Sequence, residues 1–309
     1  MNCDQTLIPD NNRCRFRPVS GGGLRVVMRL TMRCDLACPH CLAMKTKEYT
    51  ELSTEQWLTL INQFTDIGVK KALLTGGEPL LRHDIIAIVE ALSNAGIQTD
   101  LNSNLQCMNP ELMRKLKKAC LSEISTSLEG TEEIHNRMHG SDVAYSNLIK
   151  AVAWANRNYI PVDSSCCLTT ENYHFIPELI RNAKTLSIRS LTFSRLLPVG
   201  HGYNNRSSLT QEQLDACYHV IENEIAAGQS IPIRITGLLG APEQKDCGRG
   251  SSLVSITPDG YLLGCVLTDD NPSVSHPLDI GLRRAYDNLQ KELTKRQYSL
   301  CWQENMIYE

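Results

Sequence analysis

The run Arg25-Val-Val-Met-Arg-Leu30-Thr-Met-Arg-Cys34-Asp-Leu-Ala-Cys38-Pro-His-Cys41 decides how the chain is read. Its first part, Arg25–Leu30, is rich in Val, Met and Leu, as a buried strand of a parallel sheet tends to be. Its second part sets three cysteines in a C-x3-C-x2-C spacing where that strand ends, so on a loop at the C-terminal edge of a sheet. Three thiols cannot all pair off as disulfides, but on a loop they can surround three irons of a cubane and leave the fourth iron open to a small molecule. A zinc loop using Cys34, Cys38, Cys41 and His40 is the alternative, because zinc accepts mixed sulfur and nitrogen ligands.

Outward from this run, short apolar stretches alternate with amphipathic ones up to about residue 236, the pattern of repeated βα units. Strands are expected at Arg25–Leu30, Val69–Thr75, Ile97–Asn102, Glu123–Ser127, Pro161–Leu168 and Arg189–Ser194. Between the first two, Ser53 and Gln56 form a capping box ahead of Trp57, Ile61 and Phe64, and Gly68 ends that helix. Asp84 is expected to cap a helix through Ile85, Ile88, Val89 and Leu92, and Asn109-Pro110 opens another that ends near Cys120. Six right-handed crossovers curl such a sheet into a partial (βα)6 TIM-like barrel, with its active site at the C-terminal ends of the strands. After Ile235 the pattern breaks. Leu253–Ile256, the turn Pro258-Asp259-Gly260 and Tyr261–Val266 read as a β-hairpin, and a last helix is expected from about Leu282 to Arg296. The division is therefore an N-terminal arm, 1–23, a barrel, 24–236, and a small C-terminal domain, 237–309, that a metal staple would stabilise.

With 309 residues and 42% hydrophobic content the chain can bury a sizeable core, and a formal net charge of −3 attracts no phosphate backbone globally. Arg13, Arg15 and Arg17 read as a solvated arm, so no nucleic-acid partner is expected. No segment approaches the roughly 20 apolar residues that span a bilayer, and no signal-peptide core precedes the first strand, so the expectation is a cytoplasmic protein without a membrane partner. Thirteen cysteines, an odd number, suit thiolate ligands in a reducing compartment better than a disulfide framework.

At the end of the second expected strand stands Thr75-Gly76-Gly77-Glu78-Pro79. Two glycines there allow main chain to approach a ligand closely, and Glu78 adds a carboxylate able to take an amino group. The cysteine triad and this GGEP loop, in this order on these elements, resemble the radical S-adenosylmethionine superfamily across residues 25–236. The resemblance implies a [4Fe–4S] cluster on Cys34, Cys38 and Cys41, and S-adenosylmethionine bound through its amino and carboxylate groups. It implies further that Gly76, Gly77, Glu78 and Pro79 hold the methionyl amine, and that His40, before the last cysteine, lies against the adenine. Ser127-Leu128-Glu129-Gly130 and His135-Asn136-Arg137-Met138-His139-Gly140 are similar to a stretch of the peptide-modifying branch, with Glu129 where Asp is usual and His139 where Arg is usual. Ser127 and Asn104, at strand ends, are candidates to hydrogen-bond the ribose or carboxylate of S-adenosylmethionine, or else are turn residues that satisfy their own backbone.

In the tail, Cys247, Gly260 and Cys265 give C-x12-G-x4-C, with Cys301 after the last helix. This resembles the SPASM/Twitch extension and implies one auxiliary iron–sulfur cluster, of the [4Fe–4S] kind, on Cys247, Cys265 and Cys301; the alternative is three small buried thiols. Cys166-Cys167 lie in the fifth strand, where alternation turns only one of them inward; that one is either a packed thiol or a hydrogen-atom donor to a substrate radical. Arg195 ends the sixth strand, either holding a carboxylate bidentately or serving at the surface. The resemblance implies hydrogen abstraction from a C–H bond of a ribosomally made precursor peptide, giving epimerisation, a crosslink or a thioether. It also implies a one-electron donor such as flavodoxin or ferredoxin. The 33 residues before Cys34 are fewer than the usual leader-binding domain needs, so a precursor peptide is expected to use another docking surface or a separate leader-peptide-binding protein. A radical dehydrogenase or cofactor-biosynthesis enzyme with a small-molecule substrate is the alternative, and a zinc-stapled binding protein without catalysis is the alternative of another class.

Overall fold

A computed structural model describes residues 23–42, 49–197, 207–228, 231–236, 252–264 and 275–295. The arginines of the N-terminal arm and Cys247, Cys265 and Cys301 lie outside the described residues.

Seven parallel strands follow one another in the sheet in chain order: β1 Leu24–Thr31, β2 Val69–Gly76, β3 Gln98–Asn102, β4 Glu123–Ser127, β5 Val162–Leu168, β6 Ser190–Arg195 and β7 Ile233–Thr236. The six expected strands are present, and β7 adds a seventh. Its four residues are half exposed or exposed wherever their side chains are described, because it is the sheet's edge and has no strong apolar run to announce it. At the other edge β8, Leu253–Ile256, pairs parallel to β1, with Arg25 opposite Leu253 and Met28 opposite Ile256, and β9, Leu262–Leu263, turns back antiparallel on β8. The expected hairpin thus continues the barrel's own sheet.

The helices are α1 Thr54–Ile61, α2 Ile85–Asn94, α3 Pro110–Lys118, α4 Glu132–His139, α5 Ala144–Arg157, α6 Ile176–Thr185, α7 Gln211–Ala226, α8 Pro277–Ile280 and α9 Leu282–Lys295. Ser53 and Gln56 form both bonds of the capping box at α1. The helix gives way at Ile61 to a 3-10 turn, Phe64–Ile67, before Gly68 closes it with φ of 79°. Trp57, Phe64, Val26 and Met28 are fully buried, and each such side chain stabilises the core by about 1.5–3 kcal/mol. Asp84 does not cap α2 as expected: its oxygens accept Arg82 Nε at 2.8 Å, Arg82 Nη2 at 2.6 Å and Thr54 Oγ1 at 2.7 Å.

The N-terminal end of the barrel is closed by charge. Lys71 pairs with Asp100 and with Glu123, Arg189 Nη2 meets Glu123 Oε2 at 2.6 Å, and Arg189 Nε meets Asp163 Oδ1 at 2.8 Å. The C-terminal ends of the strands are left for the site.

Candidate active site

The loop carrying the cysteines leaves β1 under tight control. Thr31 Oγ1 donates to Glu51 Oε1 at 2.5 Å, Met32 N donates to the same oxygen at 3.2 Å, and Arg33 N donates back to Thr31 Oγ1 at 3.1 Å. The turn after β2 grips the same segment: Gly77 N donates to Thr31 O at 2.7 Å and Glu78 N to Arg33 O at 2.8 Å. A Cβ on Gly76, which has φ of 141°, would stand 2.1 Å from Thr31 O, and one on Gly77 2.2 Å from Arg33 O. Protein main chain running across them requires the glycines here.

The Glu78 carboxylate is fully buried: Oε1 accepts Leu80 N at 2.9 Å and Ser103 Oγ at 2.8 Å, and Oε2 accepts Asn104 N at 2.8 Å. It therefore ties the turns after β2 and β3 together, with its carboxylate engaged by these donors. Burial pushes its pKa up to about 7, against the pull of those three donors. Pro79 opens a 3-10 turn that Glu78 caps, a place where proline's missing N–H costs nothing. Asn104 Oδ1 accepts Gln106 N at 2.9 Å within its own turn, and its Nδ2 donates to Asp35 Oδ1 on the cysteine loop at 2.7 Å.

Cys34, Cys38 and Cys41 are thiols on one loop. Cys41 N bonds Cys38 O at 3.2 Å, Cys34 Sγ accepts Leu36 N at 3.4 Å, and Cys38 Sγ lies 3.2 Å from His139 Nδ1. Burial, then the neighbouring Cys41 and Cys34, pushes the Cys38 pKa up to about 12. Ionising Cys38 is therefore favoured by a compensating multivalent cation, which deprotonates the thiols it binds. Among the described residues no three His, Cys, Asp or Glu side chains converge as they would around a single ion. A set of three thiolates is the one that an iron–sulfur cubane with an open fourth iron takes. His40 adds an unsatisfied atom: its Nδ1 is buried without a hydrogen-bond partner, in a ring that burial keeps neutral. Cys107 joins this corner as well, with Sγ donating to Asp35 Oδ2 at 3.3 Å, although nothing in its spacing points there.

The facing wall comes from β4, β5 and α4. Ser127 Oγ lies 3.1 Å from His139 Nε2. Glu129 is buried beyond it, its Oε2 accepting Cys167 N at 2.8 Å and its Oε1 3.7 Å from His40 Nε2, and burial raises its pKa to about 8. Burial also holds His135 at about 2 and His139 at about 4, so both are neutral imidazoles. Parallel pairing puts Ser165 opposite Ser127, and Cys167 is two residues further along the same face. Cys167 therefore shares the site's side of β5, while Cys166, 1% exposed, belongs to the layer under the helices. Arg195 is in register with Leu168, on the face that Phe193 and Leu191 bury, so it is displaced from the side expected for a carboxylate clamp. Asn172, absent from the sequence reading, binds both strand ends: its Nδ2 donates to Glu129 O at 3.0 Å and to Cys167 O at 2.9 Å. Glu51, Arg82 and Ser103 were missed as well, since each acts through contacts far away in the chain. Glu129 and His139 were visible only as departures from a motif.

The family model of the Radical SAM superfamily matches residues 28–183. The chain is 27% identical over 251 residues to the PqqA peptide cyclase of Bradyrhizobium diazoefficiens, covering 78% of this chain and 66% of that one. It is 29% identical over 262 residues to the PqqA peptide cyclase of Rhizobium meliloti, covering 82% and 70%. The crystal structure of Streptococcus suis SuiB bound to precursor peptide SuiA aligns with a TM-score of 0.75 at 17% identity, over 88% of this chain and 66% of that one, a likeness of fold. The chain thus spans about two thirds of the length of these relatives. No described helix is long and apolar enough to cross a membrane.

Proposed function

Because the chain belongs to the radical SAM superfamily, which implies a [4Fe–4S] cluster and S-adenosylmethionine, we propose that Cys34, Cys38 and Cys41 hold that cluster and that the substrate is a ribosomally made peptide. When bound, the group supplies reductive cleavage of S-adenosylmethionine to a 5′-deoxyadenosyl radical that takes hydrogen from a substrate C–H bond. The residues present then have distinct tasks. Glu51, Gly76 and Gly77 hold the thiol loop at the barrel mouth, and Glu78 fixes the turns after β2 and β3 beside it. His40, whose Nδ1 is buried without a hydrogen-bond partner, is assigned to the nucleoside in this proposal. Glu129 and Cys167 line the side a substrate would share with it.

The observation that carries this reading is three buried or half-buried thiols at the C-terminal mouth of a parallel barrel, next to an unsatisfied imidazole nitrogen. The peptide substrate is supported by the names of the PqqA peptide cyclases and by the SuiB–SuiA complex. An auxiliary cluster on Cys247, Cys265 and Cys301, within a C-terminal region of 237–309, belongs to the same proposal. It is supported by the cysteine spacing and by Gly260, whose φ of 90° and Cβ position 2.8 Å from His276 Nε2 require glycine in the turn between β8 and β9. A one-electron donor of the flavodoxin or ferredoxin kind, and a separate protein that presents the peptide leader, complete it.

The test is anaerobic reconstitution of the full chain. About eight irons per chain are expected, and about four after Cys34, Cys38 and Cys41 are replaced by alanine, with 5′-deoxyadenosine production abolished. Zinc without sulfide would overturn the reading. Co-expression with a short peptide encoded beside the gene should change the peptide's mass, whereas an unmodified peptide together with turnover of a small molecule would move the substrate to the other class.

A further inference from the structure

We infer that His139 is a positioning residue for the cluster, donating a hydrogen bond from Nδ1 to the Cys38 sulfur and so raising the cluster's reduction potential. The inference rests on the assignment of Cys38 as a cluster ligand. His139 Nδ1 stands 3.2 Å from Cys38 Sγ, and its Nε2 stands 3.1 Å from Ser127 Oγ. A ligating thiolate can only accept, so Nδ1 must carry the proton and Nε2 must accept from the Ser127 hydroxyl. The order Ser127 O–H, His139 ring, Cys38 sulfur is then the one arrangement in which both bonds are made. The ring is held for it: His139 is 4% exposed, its ring centroid lies 4.2 Å from that of His135, and His135 Nδ1 is fixed in turn by Glu129 N at 3.3 Å. His139 is also the last residue of α4, which Gly140 closes with φ of 65°, so the imidazole projects from a rigid helix end.

A donor to a ligand sulfur stabilises the more negative, reduced state of a cluster more than the oxidised one, and hydrogen bonds to sulfur are among the determinants of iron–sulfur potentials. Removing it should therefore shift the one-electron equilibrium, with the electron supplied by an external reductant, toward the oxidised form. The expected effect is about tenfold, ~59 mV for a one-electron couple.

The experiment is an EPR-monitored redox titration of the full-length, anaerobically reconstituted protein, following the signal that S-adenosylmethionine perturbs. His139→Phe should titrate at a potential ~59 mV lower, a tenfold shift in the equilibrium, and His139→Asn, whose amide nitrogen takes the place of Nδ1, should return toward the wild-type potential. Wild-type protein labelled with 15N-histidine provides a measurement that needs no variant: a 15N coupling is expected on that same signal. Its absence, or a wild-type potential in His139→Phe, overturns the inference. If Cys34, Cys38 and Cys41 replaced together by alanine leave the S-adenosylmethionine-sensitive signal intact, the ligand assignment itself falls; if that signal is lost while the potential ignores His139, only the hydrogen bond does.

Discussion

The Glu78 carboxylate and the Asn104 main-chain N–H meet at 2.8 Å, so the turn after β2 is bonded directly to the turn after β3, beneath the loop that carries Cys34. With Leu80 N and Ser103 Oγ on the other oxygen, one buried side chain organises most of one side of the barrel mouth.

Glu78→Ala should therefore leave three buried donors without an acceptor and lower stability by about 3 kcal/mol or more, read as a shift in the urea midpoint. Asn104→Ala keeps the main-chain bond and removes the bond to Asp35, so about 0.5–1.5 kcal/mol is expected. Equal losses in the two variants would contradict the anchoring role of Glu78.

Gly77→Ala places a methyl group 2.2 Å from Arg33 O, in a contact between two main chains that cannot move independently. We expect a loss of roughly 1–3 kcal/mol and, because the displaced segment leads into Cys34, reduced iron after reconstitution. A variant with full iron content and unchanged stability would show that the two turns are not in contact.

Glu129 gives a pH dependence. Its native pKa is raised from 4.5 to about 8, so the folded protein holds the proton more tightly than the unfolded chain. That contribution is complete below about pH 4.5 and is lost as pH climbs through about 8, at about 1.4 kcal/mol per pH unit between those limits. Glu129→Gln keeps an acceptor for Cys167 N and cannot ionise, so the stability of wild type relative to this variant should fall across that window. Parallel urea midpoints from pH 5 to pH 8 would refute it.

Cys166 and Cys167 should behave differently. Cys166→Ala removes a buried sulfur that packs 3.4 Å from Asn172 Nδ2 and should cost about 1 kcal/mol. Cys167→Ala should stay within about 0.5 kcal/mol and, if the product gains deuterium from solvent, suppress that incorporation in the peptide's mass spectrum. Deuterium transfer that survives Cys167→Ala would assign the donor elsewhere; loss of two hydrogens without deuterium in the wild type would indicate a crosslink or dehydrogenation.

Much of the barrel was legible because its signals are local. Apolar runs mark β1 to β6, Ser53 and Gln56 mark the start of α1, and C-x3-C-x2-C is complete within eight residues. Edge strands were harder: β7 is short and half exposed, so burial, the usual source of a strand's pattern, is weak there. Asp84 misled because a helix start offers an acidic residue a cap, while Arg82 offers it two charge-assisted bonds in a buried place.

Taken alone, the sequence determined the βα order, the thiol triad and the family they indicate, since each depends on spacing along a few consecutive residues. Only the tertiary structure decided that β8 pairs with β1 across more than 200 residues of chain, that the Glu78 carboxylate binds Asn104 N, and that Cys167 rather than Cys166 shares the site's face. It also decided that His139 reaches Cys38, 101 positions away in the chain. The physical reason is the same in each case: hydrogen bonds and burial between distant segments are set by strand register and helix placement, and no local pattern carries that register.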